Sequence, residues 1–292
     1  MTHIPVLLQE VVDGLAPRAG ETILDCTAGG GGHSEALCLA AGEAGRVICL
    51  DADEDAIARS KDRLAKCSCG ALFYQTNFRF LDRALAALGV ATVHRILFDL
   101  GFSSFQLEES GRGFSFQRDE PLAMTFQKES RGITAERIVN EWGEESIATV
   151  IASYGEERRA ARIAAAIVAA RGVKPIGTTG ELVRIIEGAA PRQGKTHPAT
   201  KTFQALRIAV NDEFQALTEA LPKAFLHLAR GGRMAVISFH SMEDRAVKRF
   251  FREEAGQKQG ILITKKPIIA GDAEREANPR SRSAKLRIIE KV

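Results

Sequence analysis

The chain has 292 residues, with 40 Lys and Arg against 37 Asp and Glu, 45% hydrophobic residues and 26% charged ones. These ordinary globular proportions exclude a collagen, a long disordered chain and a coiled coil, and the length suffices for one large domain or two with a well-buried core. The longest apolar run, 163–170, falls far short of the roughly 20 residues of a membrane helix, and MTHIPVLLQE lacks the basic start of a signal peptide. A cytosolic protein that spans no membrane is expected.

The first hundred residues alternate short apolar runs with amphipathic stretches. TILDC (22–26), RVICLD (46–51), ALFYQT (71–76) and RILFDL (95–100) read as strands, with helical spacing between them, notably over 53–66. That rhythm predicts βαβ units and a parallel sheet covered on both faces. The next strand-like run, RMAVISF, comes only at 233–239, so the interval after the fourth strand must hold an insertion with its own structure. Ala/Glu/Arg/Ile-rich stretches at 144–154, 156–171 and 181–189 predict that the insertion is helical, and Thr178 with Glu181 has the pattern of a capping box. Before it lies a Gly/Phe/Ser-rich loop, 101–116. After it the sequence predicts a helix over 213–229, the strand at 233–239, a helix over 242–253 and antiparallel strands near 260–266 and 284–290. The expected domains are residues 1–112 with 208–292, and an inserted substrate-recognition domain of 113–207.

Five cysteines form an odd set, four of them in or beside apolar segments, which predicts buried reduced thiols. Cys67 and Cys69 make a lone C-x-C without a second pair, so no metal site is expected. The net charge of +3 is small, but ten Lys and Arg face two acids between Arg158 and Arg207. This surplus reads either as a polyanion-facing surface or as a solvated helix face.

The strongest chemical signal is TILDCTAGGGGHS (22–34): a strand, a four-glycine turn and a helix start, where backbone approaches a ligand closely and free N–H groups point outward. His33 stands where a P-loop needs lysine, and Ser34 where a dinucleotide fingerprint needs its last glycine. Asp51 ends the second strand, placed to accept ribose hydroxyls. Phe78 follows the third strand, placed either to stack on adenine or to fill core, and Asp99 ends the fourth. Together these describe S-adenosylmethionine binding better than nicotinamide binding. No Pro-Cys dipeptide, the typical setting of an activated nucleophilic cysteine, exists.

Seven blocks in order, HIPVLLQEVVDGL (3–15), DCTAGGGGHS (25–34), FDLGFSSFQLEESGRGFSF (98–116), YGEERRAARIAAAI (154–167), HPATKTFQALRIAVNDEF (197–214), SFHSMEDRAVKRFF (238–251) and NPRSRSAKLR (278–287), resemble the RsmH/MraW family of ribosomal RNA small-subunit methyltransferases. The resemblance implies an α/β fold: a class I S-adenosylmethionine-dependent methyltransferase with a Rossmann-like doubly wound sheet and an inserted all-helical subdomain. It implies methyl transfer from S-adenosylmethionine to the exocyclic N4 of a cytidine in the decoding region of bacterial 16S rRNA. The alternatives are a non-catalytic RNA-binding assembly factor and a methyltransferase of another nucleic acid.

The cofactor contacts implied are Gly31, Gly32, His33, Asp51, Phe78, Asp99 and Gln106. Asp99 is the expected proton acceptor, supported by Ser103 and Ser104. His240 either touches substrate or satisfies a backbone carbonyl, with Ser241 and Asp244 read as the cap pair of the next helix. Arg158, Arg162, Lys201, Arg207, Arg280 and Arg282 are expected at the RNA, as are Lys285 and Arg287. The implied partner is 16S rRNA or the small ribosomal subunit, and a homodimer is left open. The chain departs from the family pattern at Phe105, Glu120, Ala123, Thr125 and Gln127, beside the expected mouth of the site.

Overall fold

A computed structural model describes residues 4–101, 104–108, 110–127, 132–192, 194 and 197–292, and for Ser104 and Glu108 the backbone alone. The chain forms two compact units, Met1–Gly101 with Phe214–Val292, and Phe102–Glu213.

The first unit opens with α1 (Leu8–Leu15), β1 (Thr22–Asp25), α2 (Gly32–Ala41), β2 (Arg46–Asp51), α3 (Glu54–Leu64), β3 (Gly70–Gln75), α4 (Leu81–Ala87) and β4 (Val93–Asp99). The second unit holds α5 (Ser104–Glu108), α6 (Ala135–Glu141), α7 (Glu144–Gly155), α8 (Ala160–Arg171), α9 (Thr179–Ala189) and α10 (Ala199–Asn211). The chain continues through α11 (Glu213–His227), β5 (Leu228–Ser238), α12 (Ser241–Gly256), β6 (Gly260–Leu262), α13 (Asp272–Ala277) and β7 (Lys285–Lys291).

The sheet runs β3-β2-β1-β4-β5-β7-β6. The first five strands are parallel, and β7 and β6 close the edge antiparallel. Its apolar runs are continuous because both faces are covered. Leu24, Ile48, Leu50, Ile96 and Phe98 point to one face, where α4, α11 and α12 cover them, while Ile23, Val47, Cys49 and Leu97 point to the other, against α1 and α2. Strand order reverses between β1 and β4, and ligands of open α/β sheets bind at the carboxyl ends beside such a reversal.

Three expectations are corrected. The strand expected at 233–239 begins at Leu228, because Gly231 and Gly232 form a bulge within it; a Cβ on Gly232 would stand 2.7 Å from the His94 carbonyl oxygen. Cys38 and Cys69 are joined in a disulfide rather than reduced, tying α2 to the segment before β3, while Cys26, Cys49 and Cys67 are free thiols. The boundaries expected after 112 and 207 fall instead at Gly101 and Glu213. Arg112 donates to the carbonyls of Thr125 and Phe126, and Asn211 bonds both the Met124 carbonyl and the Phe126 N–H, so the flanks of the insertion are part of it.

The second unit has its own core, in which Ile138, Ile151, Ile163, Ile167, Leu182 and Phe203 are buried together. Thr178 and Glu181 form the capping box that the sequence suggests.

Candidate active site

Glycine sets the first turn of the site. Between β1 and α2 the chain reverses through Gly29 and Gly31, whose φ values of 54° and 77° lie in the left-handed region. Gly31 is committed to the protein: its N–H donates to the Ala28 carbonyl at 2.7 Å, and a Cβ there would stand 3.1 Å from the Ser60 Cα. Gly31 is thus the turn former that presents the neighbouring backbone of the loop. At Gly32 a Cβ would stand 2.4 Å from Pro5, so the N-terminal segment presses on the start of α2. The open flank of the turn is Gly29, where a Cβ would meet nothing nearer than 3.8 Å.

The strand order β2-β1-β4 places Asp51, Asp25 and Asp99 at three adjacent carboxyl ends. Asp51 accepts from the N–H groups of Gly29 and Asp53, both at 2.9 Å, and so holds the glycine turn. Asp25 accepts from the Ser34 hydroxyl at 2.5 Å and the Thr27 N–H at 3.1 Å. The Asp99 N–H donates to the Thr27 hydroxyl oxygen at 2.7 Å, and its Oδ2 lies 3.6 Å from Nε2 of His33, a residue 6% exposed. The Asp99 Oδ1 is buried and has no hydrogen-bond partner among the described residues.

Burial removes water from all three carboxyls and lifts Asp25 and Asp51 to a pKa of about 6. Asp99 rises to about 8, first through burial and then through repulsion from Asp25 and Glu243. Three acids crowded at one sheet edge suit a cationic ligand or a proton in transit.

Phe78 sits on a short turn capped by the Asn77 side chain, with its half-buried ring edge-to-face against Phe98 at 5.7 Å. His240 precedes α12 as its cap. Its Nδ1 accepts from the Glu243 N–H at 3.4 Å, while Glu243 Oε2 accepts from the N–H groups of Phe239 and His240. The expected Ser241–Asp244 cap pair is thus displaced by one residue to His240–Glu243. Asp244 instead binds Arg287 at 2.7 Å and Lys285 at 3.3 Å, and the buried Arg287 is thereby a structural ion pair rather than an RNA contact.

Asp25 and Glu243 were not singled out from the sequence. The signal for Asp25 is its strand-end position, like that of Asp51. For Glu243 only the cap geometry reveals the role. Ser103 lies outside the described residues, and of Ser104 only the backbone in α5 is described. Gln106 is buried in the second unit. There Glu120 accepts from the Gly113 N–H, so that departure serves the unit's own loop.

Of the expected RNA contacts in the second unit, Arg158 and Arg162 are exposed beside and on α8. Lys201 donates to the Glu156 carbonyl at 2.9 Å. Arg207 is 8% exposed and paired with Glu213 at 2.8 Å, so it is a structural ion pair and not a phosphate contact. In the first unit Arg282 is exposed and Arg280 half-buried. Among the described residues no cluster of ligands for a metal ion is found, and no helix is long and apolar enough to cross a membrane.

The family model described as the MraW methylase family matches residues 1–292. A ribosomal RNA small subunit methyltransferase H from Heliobacterium modesticaldum is 48% identical, covering 99% of this chain and 98% of that protein. One of the same name from Symbiobacterium thermophilum is 46% identical over 99% of this chain and 96% of its own. A crystal structure of an rRNA-methylase candidate from Clostridium thermocellum shares the fold at 16% identity, with a TM-score of 0.50 and full coverage of both chains. The first unit thus has the class I S-adenosylmethionine-dependent methyltransferase fold, and the chain belongs to the MraW methylase family.

Proposed function

We propose that the protein transfers a methyl group to the exocyclic N4 of a cytidine in the decoding region of 16S rRNA, acting in the cytoplasm on the small ribosomal subunit or its RNA. The single observation that carries this reading is Asp99: a carboxyl at the end of β4, beside the glycine turn, with one oxygen buried and without a hydrogen-bond partner among the described residues.

The residues fit S-adenosylmethionine. That molecule presents sulfonium and ammonium charges to an acidic edge, ribose hydroxyls to a carboxylate, and a flat base to a ring. Asp25, Asp51 and Asp99 supply the acids, Gly29 the open backbone, and Gly32, His33 and Phe78 the walls. When bound, the cofactor supplies an electrophilic methyl group that needs no further activation.

The chain's own work is alignment and proton handling. Cytosine N4 is a poor nucleophile because its lone pair is delocalised into the ring. Asp99 accepts a hydrogen bond from the N4–H, orients the lone pair and receives the proton lost on transfer. The ionised form of Asp99, which gains population as pH rises towards its pKa of about 8, is the form that takes this proton, and His33 stands next in line at 3.6 Å. Ser103 and Ser104 are proposed to steady the base.

Asp99→Ala is expected to slow single-turnover methylation of small-subunit rRNA by about two orders of magnitude, measured at saturating cofactor and RNA. Transfer within a few-fold of wild type overturns the assignment.

A further inference from the structure

One stripe of α12 carries charge that the active site does not use. Arg245, Lys248, Arg249 and Arg252 follow i, i+3, i+4, i+7 spacing and therefore share one stripe of the helix. Lys248 and Arg252 line a shallow depression with Lys265, Thr264 and the edge of Arg287. Over residues 245–266 there are seven Lys and Arg and two acids, Glu253 and Glu254.

Part of this charge is neutralised within the fold. Glu253 is taken by Arg249 at 3.0 Å, and Asp244 is shared between Arg287 and Lys285. Lys248, Arg252 and Lys265 form no ion pair among the described residues. Like charges stacked at i,i+4, as in Arg245/Arg249 and Lys248/Arg252, cost an isolated helix stability. A polyanion laid along the stripe reverses the sign of that cost.

We propose that the Lys248–Arg252–Lys265 patch is a phosphate-backbone contact for the substrate RNA, on the sheet unit rather than on the helical insertion. The inference rests on the rRNA methylation reading above. The geometry suits it: α12 starts at the capping residue His240, beside Asp99's neighbour Glu243, and Lys248 lies about 12 Å further along the helix axis. An RNA whose target base sits at the carboxyl edge therefore has its flanking phosphates within reach of the stripe. Lysine and arginine without bidentate base partners supply affinity and register, not sequence choice.

The test is binding of a short single-stranded RNA across a salt series for the wild type, Lys248→Gln, Arg252→Gln, Lys265→Gln and the triple variant, with S-adenosylhomocysteine affinity as the folding control. Each true contact removed should flatten the log–log slope by about 0.7, so the triple variant should lose about 2. Lys248→Arg with Lys265→Arg should keep the wild-type slope. An unchanged slope in the triple variant, with cofactor-analogue affinity retained, overturns the patch. If the wild type neither binds nor methylates small-subunit rRNA, the proposed function fails and the patch fails with it.

Discussion

At the residue scale, Asp99 carries opposing demands. In an unfolded chain a carboxyl ionises near pH 4, whereas in the folded protein Asp99 does so at about 8. Between these values the native state binds more protons than the unfolded one, so this residue's contribution to stability falls as pH rises and is fully lost above about 8. Asparagine has no such charge. Asp99→Asn is therefore expected to melt like the wild type near pH 4 and at least about 2 °C higher at pH 8.5, while losing methyl transfer. Equal melting temperatures at the higher pH show that the carboxyl is not held against its ionisation. Asp51 and Asp99 were legible in the sequence because an acid closing a β-strand before a glycine-rich or helical segment is a local pattern. The commitment of Gly31 to the Ala28 carbonyl was not, since it depends on how closely α3 approaches.

At the element scale, periodicity placed β1 to β4 to within about two residues, whereas β5 starts five residues before the expected strand. It failed where a choice was tertiary. At α12, both Ser241 and His240 offer a cap, and Glu243 decides between them by reaching the N–H groups of Phe239 and His240. Asp244 is then free to face β7, where Arg287 and Lys285 need it. The cysteine reading failed for the same reason, because residues 31 apart in sequence meet only once α2 packs beside β3. Thiol counting in denaturant without reductant should find three reactive thiols, and five after reduction. Reduction should also cost about 3 to 4 kcal/mol of stability through the loop released in the unfolded chain. Five thiols without reductant would mean that the pair is a dithiol. Both sulfurs belong to buried residues, which shields the bond from reductants in solution.

At the scale of the whole molecule, the acids proposed to face the cofactor, the glycine turn, His33, Phe78 and Glu243 all belong to one unit, assembled from the two ends of the chain. The N-terminal segment is fastened there by its partners near the C-terminus: Leu7 donates to Glu274 at 2.7 Å, and the Asn278 side chain to the Ile4 carbonyl at 3.1 Å. Pro5 between them presses on Gly32. Ligand binding at the carboxyl edge should therefore be felt in three separated stretches of sequence, 27–34, 51–53 and 99–101, and also at 4–7. Hydrogen exchange with and without S-adenosylhomocysteine measures this directly. The N–H groups of Cys26 and Ala28 already bond to Leu97 and Leu50, so they should start slow and gain little. The Gly29 N–H, bonded to the Asp51 carboxylate that is proposed to hold the ribose, should gain most. Protection confined to the second unit would move the cofactor away from this edge. Protection at 27–34 and 51–53 without any at 4–7 would show that the N-terminal segment shapes the turn but does not tighten with the ligand.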